Sequence, residues 1–418
     1  MHFTRSYVLP AIAVAAAMLA PPALAQEKTL KVGGLATLEG VFAKNGEDSM
    51  RGIDVALKEY KNTAGGYKIE LIKASSDAKP ETAIRAARKL IEQDGVKILI
   101  GPLSGSEGLA MKDFAKTKPE ITFINGTSAA QDTTLRDPAP NFFRFWTDGA
   151  QWSWGLGEYV VKVKGWKKIA AIAEDYSFPY TLMLGFALDY CGHGGKIVSR
   201  SWVPLGTKDY ASYIAALPTD VDAIYVALGG GDAIAFLNQY QQAGGKAKLI
   251  AGAITVDQSI LTSKGKAREA LLGTPAAQPI ADNDDSPAWK TFAKAYQDAF
   301  PPDQRFPTPS LFATGYYIAT KAMLEGLNAV KGDLSNNHAA YRQALSKLKL
   351  QGPTGEITLD ENRQAIAPNY ITEVVEGPGG SMINRVIKKT PPISQTLGMD
   401  RAKFLAFGPV GRDNPKCN

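Results

Sequence analysis

Apolar positions in this chain follow two rhythms. Short β-branched runs alternate with amphipathic stretches at intervals of about thirty residues, the length of a strand-helix-strand unit. Residues 30–35 (Leu-Lys-Val-Gly-Gly-Leu) predict a first strand, and a helix is predicted over 48–60. Residues 68–74 predict a second strand. In residues 80–93, Ile84, Ala87 and Ile91 fall at helical spacing, with charges on the other face. Lys97-Ile98-Leu99-Ile100 is a near-continuous apolar run, the pattern of a strand covered on both faces. A helix over 104–117 and a strand over 121–124 follow. Units of this kind call for parallel sheets with helices on both sides.

A second series repeats the pattern. It predicts helix over 150–163, strand 169–173, helix 180–190, strand 197–203, helix 210–217, strand 223–228, helix 232–243 and strand 248–251. The irregular, Pro-rich segment 132–140 separates the two series. Residues 275–287 read as a further irregular stretch, before helices near 289–300 and 310–330. Gly352-Pro353-Thr354-Gly355 reads as a turn, and 356–359 as strand. The expected fold is α/β, with two doubly wound lobes between which the chain passes more than once.

The first 26 residues carry a different signal. A basic start (His2, Arg5) leads into the apolar run Val8–Ala20; Pro21 and Pro22 break it, and Ala23-Leu24-Ala25 follows. This is the pattern of a secretory signal peptide cut after Ala25, with the remainder soluble outside the cytoplasm. The run is shorter than the roughly 20 residues that span a bilayer, and no cysteine follows the cut to carry a lipid.

Composition adds exclusions. The formal charge of +6 is dispersed, and Lys162-Val163-Lys164 and Lys167-Lys168 lack the interleaved aromatics of a nucleic-acid surface. The mild positive balance favours an anionic ligand. Cys191 and Cys417 permit one disulfide or two separate thiols; both alternatives stand open. With His193 and His338 as the only histidines after Ala25, no zinc-ligand spacing exists, and no metal is expected. No G-x-G-x-x-G or Walker loop appears, so no cofactor is expected.

Three loops follow predicted strands, where helix N-termini expose free N–H groups and small residues let a carboxylate approach. They are Gly101-Pro102-Leu103-Ser104-Gly105-Ser106-Glu107, Asn125-Gly126-Thr127-Ser128-Ala129-Ala130 and Gly229-Gly230-Gly231-Asp232. Gly126 to Ala130 also approximates a nucleophile elbow, which would make the chain a secreted serine hydrolase at Ser128. Against that, Gln131-Asp132-Thr133-Thr134 is a poor helix start, and His193 sits between glycines. Among the aromatics, Trp154 and Tyr159 read as packing. Phe42, Tyr176 and Phe178 lie in loops beside Gly or Pro and are the candidates for lining an apolar pocket.

Val32 to Gly40, the run Ile100-Gly101-Pro102-Leu103-Ser104-Gly105, and Gly352-Pro353-Thr354-Gly355 with Leu359-Asp360-Glu361-Asn362 resemble the periplasmic leucine/isoleucine/valine-binding protein family, the receptors of branched-chain amino-acid-type ABC importers. The resemblance implies two Rossmann-like lobes joined by three crossovers: residues 26–147 with 276–352, and 148–275 with 353–418. It implies a monomer without catalytic activity that closes on a small carboxylate in the periplasm and delivers it to a membrane permease. A sensor reporting to a signalling partner would show the same cleft. By the same resemblance Ser104, Gly105, Ser106, Thr127, Ser128 and Ala129 hold the ligand carboxylate, and Tyr176 or Phe178 closes over it. Amino-acid binders of the family place an acid after the strand matching 248–251. Here Gly252-Ala253-Ile254-Thr255 stands there, so Asp232 beside Gly230 is expected to substitute, or the ligand is an aromatic or aliphatic acid without an ammonium.

Overall fold

The computed structural model describes residues 1–4 and 28–417. The expected signal peptide therefore lies almost wholly outside the described residues. Among those described, no helix is long and apolar enough to cross a membrane.

The first lobe is built on strands β1 (Lys28–Thr37), β2 (Thr63–Ala64), β3 (Tyr67–Ser76), β4 (Ile98–Ile100), β5 (Thr122–Ile124) and β6 (Phe142–Phe143). Their order is β2-β3-β1-β4-β5-β6, all parallel except the edge hairpin β2–β3. The second lobe uses β7 (Lys168–Glu174), β8 (Lys196–Val203), β9 (Ala223–Ala227), β10 (Lys248–Ala251) and β11 (Pro275–Gln278) in the parallel order β8-β7-β9-β10-β11. Strands β12 (Leu350–Gly352), β13 (Gly355–Leu359) and β14 (Ala365–Ile366) form a small separate sheet. Strands β15 (Tyr370–Glu376) and β16 (Met382–Lys389) extend the second sheet antiparallel.

Both parallel sheets reverse direction beside their first strand, between β1 and β4 and between β7 and β9. Crevices for ligands form at such switch points. The loops that leave these four strands face one another across the lobe boundary.

The structure corrects several expectations. Residues 275–278, read as irregular and assigned from 276 on to the first lobe, form β11 inside the second sheet. The strand is only four residues long and starts on a proline, so it carries no periodic signal. The helix expected over 150–163 breaks into Gly149–Ser153, Leu156–Tyr159 and a π-turn at Val160–Lys164, because Gly155 is left-handed at φ 88°. Of the two alternatives left open for Cys191 and Cys417, the structure has the disulfide, which closes 226 residues, so no expectation is overturned there. In the first lobe, helices Ala43–Glu59 and Leu311–Ala329 pack closely: a Cβ on Gly52 would lie 3.0 Å from Ala313 Cα.

Candidate functional site

The loops after β1, β4, β5, β7 and β10, the helix Gly149–Ser153 and the start of helix Leu311–Ala329 line a narrow, nearly closed slot between the lobes. The first lobe contributes Phe42, Leu103, Ser104, Gly105, Thr127 and Phe312 to its wall; Trp152, Tyr176, Phe178 and Ile254 complete it. Trp152 and Phe178 meet edge to face at 5.3 Å, and Trp152 Nε1 donates to Thr147 Oγ1 at 2.9 Å.

One end of the slot is polar. Helix Gly105–Lys116 starts there with a capping box between Ser104 and Glu107, and Glu107 Oε2 accepts from Ser104 N at 3.1 Å. Ser104 Oγ donates to Ala78 O. Thr127 Oγ1 is buried in the wall with no hydrogen-bond partner. A buried hydroxyl without a partner costs about 1–3 kcal/mol, a cost that a hydrogen bond to a molecule in the slot would relieve. Burial pushes the Glu107 carboxyl up to about 7, against hydrogen bonds that pull it down. Glu107 is thus only about half ionised at neutral pH and carries less negative charge beside the helix N-terminus than an ordinary glutamate.

The lobes touch around the slot. Ser106 Oγ and Ser177 Oγ are 3.1 Å apart, and Gln131 N donates to Thr181 Oγ1 at 3.1 Å. Gly105 faces Phe178 with no room for a side chain: a Cβ there would lie 2.7 Å from Phe178 Cβ and 3.0 Å from its backbone nitrogen. Gly230, at φ +49°, takes a left-handed conformation and has the Val41 carbonyl where its Cβ would be.

Of the expected site residues, Phe42, Ser104, Gly105, Thr127, Tyr176 and Phe178 come together in the wall. Ser106 bridges the lobes beside it and Gly230 abuts Val41. Three expectations are not met. Ser128 turns its hydroxyl against Gly108 of the helix, away from the slot. Ala129 is spent in the backbone, accepting from Gly149 N at 3.0 Å. Asp232 does not line the slot: its Oδ2 accepts from Gly206 N at 2.7 Å, and burial raises its carboxyl above the ordinary range.

Ser128 also lacks a base. His193 Nδ1 bonds Asp189 O, and His338 Nδ1 bonds Thr122 Oγ1. After β10 it is Ile254, not an acid, that reaches the wall. A second buried acid lies nearby at the end of β7. Glu174 Oε1 accepts from Gly229 N at 2.9 Å, and burial, with Asp232 adding to it, holds this carboxyl well above its ordinary value. Leu103, Trp152, Ile254 and Phe312 were not expected in the wall. For Trp152 the local aromatic crowding was a signal. For Phe312, at the start of a helix that reads as core, there was none.

Two lobes meeting at their switch points over a slot are the architecture of a two-lobed solute-binding protein. The match to known proteins agrees: residues 29–380 fit the family model "Periplasmic binding protein", and the chain belongs to that family, in its leucine/isoleucine/valine-binding type I branch. It is similar to Leu/Ile/Val-binding protein homolog 6 of Brucella melitensis, 24% identical over 371 residues that cover 86% of this chain and 91% of the relative. Among solved structures it resembles an ABC transporter substrate-binding protein from Sphaerobacter thermophilus (28% identity, TM-score 0.77, covering 87% and 98% of the two chains). It also resembles a solute binding protein of an ABC transporter from Rhodopseudomonas palustris BisB5 in complex with 3,4-dihydroxy benzoic acid (27% identity, TM-score 0.80, covering 88% and 99%).

Proposed function

We propose that this protein is the periplasmic receptor of an ABC importer and that its ligand is a small aromatic carboxylate. The observation that carries this reading is the chemistry of the slot. It offers one anion-binding end, the helix start at Ser104–Gly105 with the unpartnered Thr127 hydroxyl, and a wall of Phe42, Trp152, Tyr176, Phe178 and Phe312. Ile254 stands where the resemblance calls for an acid, and Asp232 is turned to Gly206, so no carboxylate in the wall meets a ligand ammonium. A buried ammonium without a partner costs several kcal/mol. The dihydroxybenzoate-bound relative supports the same ligand class. The mechanism is a population shift: the carboxylate docks on the first lobe, and Tyr176 and Phe178 contact the ring only in the closed form, which a permease then recognises.

Thermal unfolding with benzoate, 4-hydroxybenzoate, 3,4-dihydroxybenzoate and the branched-chain amino acids tests the reading. A ligand at 100 times its Kd stabilises the native state by about 2.7 kcal/mol. Stabilisation by the aromatic acids alone is expected; stabilisation by leucine alone would overturn it.

A further inference from the structure

We propose that the C-terminal segment 391–417 is a latch across the two lobes, and that Arg412 on it positions the loop 175–178 of the ligand site. This rests on the receptor reading above and adds a device to it. The segment follows the last strand of the second sheet and lies beyond the family match, which ends at residue 380.

It first crosses the junction of the lobes, where Gln395 Nε2 donates to Asp148 Oδ2 at 2.8 Å and to Gln131 O at 2.9 Å. Leu397 and Phe404 are then buried in one cluster with Leu135 of the first lobe and Ala150 and Leu184 of the second. Arg401 Nη2 donates to Leu135 O at 2.8 Å.

The last stretch bridges the lobes directly. Arg136 of the first lobe donates from Nη2 to Gly408 O at 2.8 Å. Four residues later Arg412 forks onto Asp175 of the second lobe, with Nε donating to Oδ1 at 2.8 Å and Nη2 to Oδ2. Asp175 also accepts from the Tyr180 hydroxyl, and its neighbour Tyr176 lines the slot. Beyond Arg412, Arg200 Nη2 donates to Pro415 O at 2.6 Å, and Cys417 bonds Cys191 on the helix Ser177–Gly192.

Five residues span at most about 18 Å when fully extended. A wide hinge opening that parts Arg136 from Asp175 therefore breaks one anchor or the other. Contacts made only in the closed form favour that form and raise affinity for a ligand bound within it. The bidentate geometry makes this ion pair stronger than a point-charge contact.

The test compares the parent protein with Arg412→Gln and Arg412→Lys, all keeping the disulfide, by calorimetric titration with 3,4-dihydroxybenzoate and by small-angle scattering without ligand. Arg412→Gln is expected to weaken binding about twofold to fivefold, the upper part of the range for an exposed ion pair because this one is bidentate. Arg412→Lys recovers only part, because it keeps the charge without the fork. The ligand-free Arg412→Gln protein is expected to show a larger radius of gyration at an unchanged melting temperature. Reduction of Cys191–Cys417 is expected to move affinity and size in the same direction. Equal affinity and equal size in parent, Arg412→Gln and reduced protein overturn the latch. If the parent binds none of the aromatic acids, the ligand reading fails while scattering still decides the latch.

Discussion

Replacing Gly105 by Ala separates closure from folding. Gly105 opens the helix Gly105–Lys116 and does not take a positive φ, so alanine fits its backbone. In an open form the added methyl meets only water and lowers the backbone entropy lost on folding, a gain of up to about 1 kcal/mol. In the closed form the same methyl would lie 2.7 Å from Phe178 Cβ, 3.0 Å from Phe178 N and 3.1 Å from Ser177 Oγ. Carbon atoms settle at about 3.5–4.0 Å, so the lobes must part by about 1 Å. Parting them loosens the Ser106–Ser177 hydrogen bond and the ring contacts of Phe178. Overpacking of this kind costs about 1–3 kcal/mol, which is roughly a 5- to 150-fold rise in Kd. Calorimetry with 3,4-dihydroxybenzoate reads the affinity, and a melting scan without ligand reads the fold. An unchanged Kd would refute the reasoning. So would an unliganded melting temperature that falls in step with affinity, because the glycine would then serve folding rather than closure.

Thr127→Val removes a buried hydroxyl that has no partner in the unliganded protein, so it should leave the unliganded melting temperature unchanged or raised while weakening aromatic-acid binding about tenfold in a calorimetric titration. Glu107 is raised from 4.5 to about 7 by burial, so the folded protein holds a proton there that the unfolded chain releases. Its contribution to stability therefore falls as pH rises from about 4.5 to about 7. Carboxylate affinity should also fall as pH rises through about 7, and a titration series with Glu107→Gln should flatten that fall. Reducing the disulfide between Cys191 and Cys417 opens a loop of 226 residues, and denaturant melts should show a loss approaching about 5 kcal/mol on the chain-entropy model.

The parallel core was legible because its strands are apolar runs bounded by glycine and helix starts: Ile98–Ile100 and Ala223–Ala227 are buried throughout, as continuous apolar runs require. Strands β15 and β16 were not legible. They are edge additions that mix buried Thr372 and Asn384 with exposed Lys388 and Lys389, and their pairing is fixed by tertiary position. Within the site, loop residues after strands were readable from small side chains and stranded aromatics, which brought Ser104, Thr127, Phe42, Tyr176 and Phe178 to notice. Orientation was not readable. Ser128 and Thr127 are adjacent hydroxyls in one loop, yet one packs on Gly108 and the other faces the slot, because the helix Gly105–Lys116 closes over Ser128. Phe312 and Ile254 enter the wall only through the way the crossovers return the chain.

The most direct measurement is a crystal structure of the protein grown with 3,4-dihydroxybenzoate. The expected result is a ring held between Trp152, Tyr176 and Phe178, with its carboxylate on the amide of Gly105 and the Thr127 hydroxyl. A ligand whose carboxylate points away from this helix start, or one seated outside the interlobe slot, would contradict the assignment of the site.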